Sequence, residues 1–248
     1  MSKKKIIAVD INEIFRSLWL QFDRYYVQEF GEEGAPNDEE AYVYDYWKNY
    51  KWKDTTVETK ELKDDAPETI APADYNIDEK TGESNADFLL FKKRVEEFTA
   101  KEMYNKFMYE DFCMDIFGFA PKMYPQVDTD SDVFYLKFRE QYDLAIVSKE
   151  NWFSISPTLF FLAKVTPRFN SYFFYEENKE IWDRVDYLIT TDPELINSKP
   201  DDKKVIRLDR PFNHEMSGDV IATNLIDLVN NDEFKKLINY KEEIKEEK

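Results

Sequence analysis

Several stretches of this chain run almost wholly apolar and then close on polar residues. Ile6-Ile7-Ala8-Val9 ends in Asp10-Ile11-Asn12, and Leu144-Ala145-Ile146-Val147 ends in Ser148. Tyr187-Leu188-Ile189 ends in Thr190-Thr191-Asp192, and Val205-Ile206-Arg207-Leu208 runs into Asp209. Short uninterrupted runs predict strands buried on both faces, and the polar residues at their C-terminal ends fall where an open α/β sheet builds its site. Ser171–Tyr175 adds a further strand. Helical spacing fills the intervals. Ile14, Leu18, Phe22, Tyr25 and Tyr26 predict a helix over 13–30, and others are predicted over 130–142, 158–164 with Pro157 at its first turn, and 177–184. Ile221, Leu225, Leu228 and Val229 predict a C-terminal helix from Asp219 to about Ile244. Strands alternating with helices across 143–210, together with the strand at 5–10, predict a parallel sheet covered by helices on both faces.

Between the first strand and that core the pattern changes. Phe88, Phe91, Val95 and Phe98, then Met103, Phe107 and Phe112, keep helical spacing until Gly118 and Pro121. Residues 61–85 are rich in proline and acids and show no period, which predicts an extended acidic arm. The expected organisation is a core of residues 1–25 and 131–248 with a large, mainly helical cap, residues 26–130, inserted after the first strand. Tyr42, Tyr44, Tyr46, Trp47, Tyr50 and Trp52 form an aromatic run within that cap. Aromatic side chains are enriched at interfaces, so this run is the candidate partner-binding surface.

Composition narrows the function classes. A net charge of −18 over 248 residues repels nucleic-acid phosphates and anionic lipid, so neither is expected as a partner. No apolar stretch approaches the ~18 residues of a membrane span, and the run before Asp10 is too short for a secretory signal. Five glycines leave no phosphate-binding glycine loop. One cysteine, Cys113, and one histidine, His214, exclude an internal disulfide and a Cys/His metal cluster. Cys113 reads as a small core residue and His214 as a loop residue. The sum predicts an acidic cytoplasmic protein.

The strand-end residues resemble the haloacid-dehalogenase-like (HAD) superfamily, whose phosphatases place a D-x-D pattern after the first strand. Serine or threonine follows a second motif strand, a lysine comes later, and an acidic pair ends another strand. Leu188-Ile189-Thr190-Thr191-Asp192-Pro193 and Asp209-Arg210-Pro211-Phe212-Asn213 look closest to the 5′(3′)-deoxyribonucleotidase branch. The resemblance covers residues 4–24 and 140–215. It implies Asp10 as nucleophile and magnesium ligand, Ser148 as a phosphoryl contact and Lys179 as the charge-neutralising lysine. Asn12 stands where the second aspartate, the proton-shuttling acid, is found in the family, and an amide cannot shuttle that proton. Thr190 and Thr191 stand where the metal-binding acids should be, with Asp192 one residue beyond as a substitute ligand. The expectation from these departures is a non-catalytic structural or interaction protein in an oligomeric assembly, needing no cofactor. The Lys/Asn/Tyr/Phe/Ile-rich composition suggests an AT-rich genome, such as a bacteriophage, and hence a virion or assembly component in the host cytoplasm. The alternative is a magnesium-dependent phosphatase acting on nucleoside monophosphates through Asp10.

Overall fold

The computed structural model describes residues 4–36, 50–52, 56–62, 91–97, 99–165 and 168–242, with 56–62, 91–97 and 100 described by backbone alone. It divides into two units: residues 1–51 with 106–248, and residues 52–105.

The larger unit holds a six-stranded parallel sheet, as the apolar runs require. Its strands begin with β1 (Ile6–Asp10), after which comes the helix α1 (Leu18–Phe30). In the smaller unit β2 (Thr56–Leu62) and β3 (Phe91–Glu97) form an antiparallel pair, with Thr56 opposite Glu97 and Leu62 opposite Phe91, and α2 (Ala100–Asn105) follows. Then come α3 (Val127–Phe138), β4 (Asp143–Lys149), α4 (Ile155–Val165), β5 (Ser171–Tyr175), α5 (Asn178–Trp182), β6 (Tyr187–Thr190) and α6 (Pro193–Asn197). The chain closes with β7 (Lys204–Leu208), β8 (Val220–Ala222), α7 (Leu225–Asn230) and α8 (Asp232–Ile238).

The sheet order is β5-β4-β1-β6-β7-β8. β1 is therefore central, with Asp10 in register with Val147 on one side and Val9 with Ile189 on the other. The chain leaves β1, adds strands on one side and then returns to add strands on the other, so the end of β1 is a topological switch point. Alternation along β1 supplies both cores. Ile7 and Val9 join one apolar cluster with Phe134, Phe138 and Phe234, while Ala8 joins a second with Val147, Trp182 and Leu195.

Three expectations change. Within the stretch of helical spacing over 86–117, residues 91–97 instead form β3, because the spacing of four between Phe91 and Val95 satisfies period 2 as well as period 3.6. A cap described as mainly helical thus contains a strand pair. The single C-terminal helix is instead β8 followed by two short helices, cut where the side chains of Asn224 and Asn231 accept from Asp227 N–H and Phe234 N–H as N-caps. The helix foreseen from residue 13 starts at Leu18, because residues 11–16 are drawn into a tight loop after β1. No helix among the described residues is long and apolar enough to cross a membrane.

Candidate active site

Asp10 closes β1 at the C-terminal edge of the sheet and is 4% exposed. Both its oxygens are held: the Ile11 N–H donates to Oδ1 at 2.7 Å and the Thr190 hydroxyl to Oδ2 at 2.8 Å. Thr190 in turn accepts from the Asp192 N–H at 3.0 Å. Burial, followed by repulsion from the Asp192 carboxylate, pushes the Asp10 carboxyl up to about 7, against the pull of Thr190 and the backbone amides of Ile11 and Asn12. Among the described residues no lysine or arginine bonds to Asp10.

The loop after β1 is fixed from two sides by arginines. Arg16 is fully buried and spends its guanidinium on four acceptors. Nε donates to Asn12 Oδ1 at 2.8 Å, Nη1 to Thr158 Oγ1 at 2.8 Å and to the Phe117 carbonyl at 3.1 Å, and Nη2 to Glu150 Oε1 at 2.7 Å. The Ser148 and Thr158 hydroxyls, each at 2.8 Å, also donate to Glu150 Oε1. Glu150 Oε2 is buried with no partner among the described residues. From the other side Arg210 donates through Nε and Nη2 to the Glu13 carbonyl, at 3.0 and 2.7 Å. Glu13 itself sits in the left-handed region at φ 54°, a strained conformation for a non-glycine residue. Its side chain accepts from the Trp19 N–H at 3.0 Å, and burial pushes its carboxyl up. The Thr191 hydroxyl donates to the Asn12 carbonyl at 3.2 Å, and Asn213 Nδ2 holds the Thr191 carbonyl at 2.8 Å.

The residues expected from the sequence do not all converge. Asp10, Asn12, Thr190, Thr191 and Asp192 do: they occupy the ends of β1 and β6. Ser148 is fully buried at the end of β4 and is turned to Glu150. Asp192 is the N-cap of α6, its Oδ1 accepting from the Glu194 and Leu195 N–H groups at 2.7 and 3.3 Å. Lys179 stands apart on α5, with an 82% exposed side chain paired to Asp183 at 3.0 Å. In the aromatic run, Tyr42, Tyr44, Tyr46 and Trp47 lie outside the described residues. Tyr50 is 3% exposed, donates to Asp23 Oδ1 at 2.6 Å and packs edge-on against Phe22. Trp52 is half-buried and meets the Tyr104 ring at 6.0 Å.

Arg16, Glu150, Thr158 and Tyr175 were not singled out from the sequence. Tyr175 ends β5, and its buried hydroxyl has no partner among the described residues. Burial first, then Asp10, Asp192, Glu150 and Glu194, hold its phenol well above its ordinary range. Its ionised form is thus suppressed, and the group can act only as a neutral hydrogen-bonding hydroxyl. Glu150 follows Ser148 by two residues, so the polar close of that apolar run was the signal for it. Arg16 had none, since it reads as one more charge on a predicted helix.

Magnesium, which the resemblance implies, asks for several oxygen donors with carboxylates among them. The residues here do not fit it: one Asp10 oxygen takes the Thr190 hydroxyl, one Asp192 oxygen is spent on the α6 cap, and no three acidic, cysteine or histidine side chains group together among the described residues. What the site offers is a buried carboxylate titrating near neutrality and held by the Thr190 hydroxyl and the Ile11 N–H.

No family model and no curated protein matches the chain. Among solved structures it is similar to a putative haloacid dehalogenase-like hydrolase from Burkholderia xenovorans LB400, at 10% identity over 93% of this chain and 97% of that one, with a TM-score of 0.49. It is also similar to a dehalogenase solved with an intermediate complex (9% identity, 92% and 96% covered, TM-score 0.48) and to an L-2-haloacid dehalogenase (12%, 92% and 99%, 0.47). The expectation of a non-catalytic structural or virion protein is corrected here to this extent: the structures to which the chain is similar are titled as hydrolases, nearer to the hydrolase alternative than to a structural role. The chain itself has an α/β fold, a six-stranded parallel sheet with helices.

Proposed function

We propose that this protein is a hydrolase that works through Asp10 as a covalent nucleophile. The observation that carries the reading is the Asp10 carboxylate: buried at the switch point of the sheet, held on both oxygens and titrating near neutrality. An ionised Asp10 attacks an electrophilic centre, the leaving group departs with its bonding electrons, and water then opens the aspartyl intermediate.

The finer reading suggested by the sequence, a nucleoside monophosphatase of the nucleotidase branch, brings a phosphate dianion. That dianion would meet Asp10 and Asp192 with Lys179 tied to Asp183 elsewhere and with a donor set that does not fit magnesium. A substrate with at most one negative charge and an electrophilic carbon suits the site better, and Asn12 in place of an acid suits a leaving group that needs no proton. The 2-haloacids implied by the neighbours' titles are members of that class.

The test is a hydrolysis panel of 2-haloacids, activated carboxylic esters and phosphomonoesters, each with and without magnesium, and with Asp10→Asn as control. Turnover lost in Asp10→Asn is the expected result. Single turnover in ¹⁸O-water then separates the electrophiles: label appears in Asp10 when water attacks its ester carbon, and in released phosphate when water attacks phosphorus. Absence of any Asp10-dependent turnover across the panel would sink the reading.

A further inference from the structure

Position 12 looks, by resemblance, like an acid that has been lost. The surrounding side chains say otherwise. Arg16 Nε has one hydrogen and gives it to the Asn12 side chain at 2.8 Å, and a guanidinium only donates, so the Asn12 atom facing it has to be the oxygen. The amide cannot turn over without setting NH₂ against N–H. Its Nδ2 end therefore points away from Arg16, in a residue two positions from Asp10 whose own carbonyl is tied to Thr191 on the neighbouring strand.

Arg16 cannot adapt to a different arrangement. Nη1 donates to Thr158 and Phe117 and Nη2 to Glu150, Cζ lies 5.0 and 5.8 Å from the Phe117 and Phe161 ring centroids, and both members of the ion pair are fully buried. A buried pair of this kind does little for net stability but selects one geometry strongly, because any partner left unpaired is costly.

We propose that Arg16, anchored by Glu150, is a positioning residue that fixes Asn12 as a hydrogen-bond donor to an acceptor atom of the substrate bound at Asp10. Position 12 is then a built donor and not an eroded acid. A carboxylate placed there would be claimed by Arg16 Nε, would lose the donor and would compete with Glu150 for the same guanidinium. Restoring the family's aspartate would therefore harm the site. This inference rests on the Asp10 reading for its substrate, but not for the geometry of the amide.

The test uses the full chain with Asn12→Asp, Asn12→Ala, Arg16→Lys and the double variant Asn12→Ala/Arg16→Lys. Lysine keeps a charge for Glu150 but lacks the second arm that reaches Asn12. On the best panel substrate, Asn12→Asp and Arg16→Lys each lower kcat by about 10–100-fold, and the double variant loses no more than Asn12→Ala alone. A rise in turnover with Asn12→Asp, or losses that multiply in the double variant, overturns the proposal. The side-chain amide signals of ¹⁵N-labelled Asn12 give a readout that needs no activity. In the unaltered protein the Arg16 bond to Oδ1 should hold the amide in one orientation and give the two NH₂ protons distinct shifts, and Arg16→Lys should move those shifts. Signals that Arg16→Lys leaves unmoved overturn the proposal whatever the kinetics. If nothing in the panel is turned over, the Asp10 reading fails, and the amide signals alone decide the geometry of position 12.

Discussion

Asp10 couples the chemistry of the site to its stability. In the folded chain its carboxyl titrates at about 7 against an ordinary 3.8. Between those values the folded state keeps a proton that the unfolded state has lost, so stability falls as pH rises from about 4 to about 7 and is level beyond. Asp10→Asn should flatten that slope and raise unfolding free energy at pH 8 by roughly 1–3 kcal/mol, with little change at pH 4. Urea unfolding at the two pH values checks this. In the proposed mechanism only the carboxylate attacks, so kcat/KM should climb through pH ~7. Asp192→Asn keeps a side-chain oxygen for the α6 cap and removes the repelling charge, so the midpoint of that climb should move below 7. An unmoved midpoint would place the cause in burial alone. Tyr175 offers a third check at this scale. Its hydroxyl is buried without a partner among the described residues, and desolvating an unpaired hydroxyl is costly, so Tyr175→Phe should raise unfolding free energy by about 1 kcal/mol. A loss in that measurement would mean that the hydroxyl is bonded in solution.

Elements place these side chains by their ends. β1 and β6 bring Asp10 and Thr190 within 2.8 Å because their parallel register pairs Val9 with Ile189, leaving the next residue of each strand at the same edge. α6 is only five residues long, and its start depends on the Asp192 side chain and on Pro193 at the first turn. Asp192→Ala should therefore cost about 1 kcal/mol through the lost cap, over and above its effect on Asp10. Chemical unfolding of the Ala and Asn variants side by side separates cap from charge. The strand ends were legible from sequence for a physical reason: a strand buried on both faces is an unbroken apolar run, and its first polar residue marks the sheet edge. β3 was not, because a spacing of four fits helix and strand alike.

At the scale of the larger unit, the buried Arg16–Glu150 pair joins segments 134 residues apart. It connects the loop after β1, the end of β4, the start of α4 and the carbonyl of Phe117. Glu150→Gln keeps the shape but leaves the guanidinium buried without its counter-charge. That should cost about 3–5 kcal/mol, far more than loss of the exposed Lys179–Asp183 pair. Denaturation of Glu150→Gln beside Lys179→Ala provides the comparison.

The amino-acid sequence by itself determined the parallel sheet and the polar residues at its C-terminal edge, because apolar runs and their polar ends are local properties of the chain. It also carried the absence of an acid at position 12. Only the tertiary structure decided what that absence means. Strand order brings Glu150, Ser148 and Thr158 to Arg16, and Arg16 to Asn12, whereas Lys179 is carried outward on α5. Periodicity records which face of an element is buried. It does not record which buried polar groups meet across the sheet, and the chemistry proposed for Asp10 depends on those meetings.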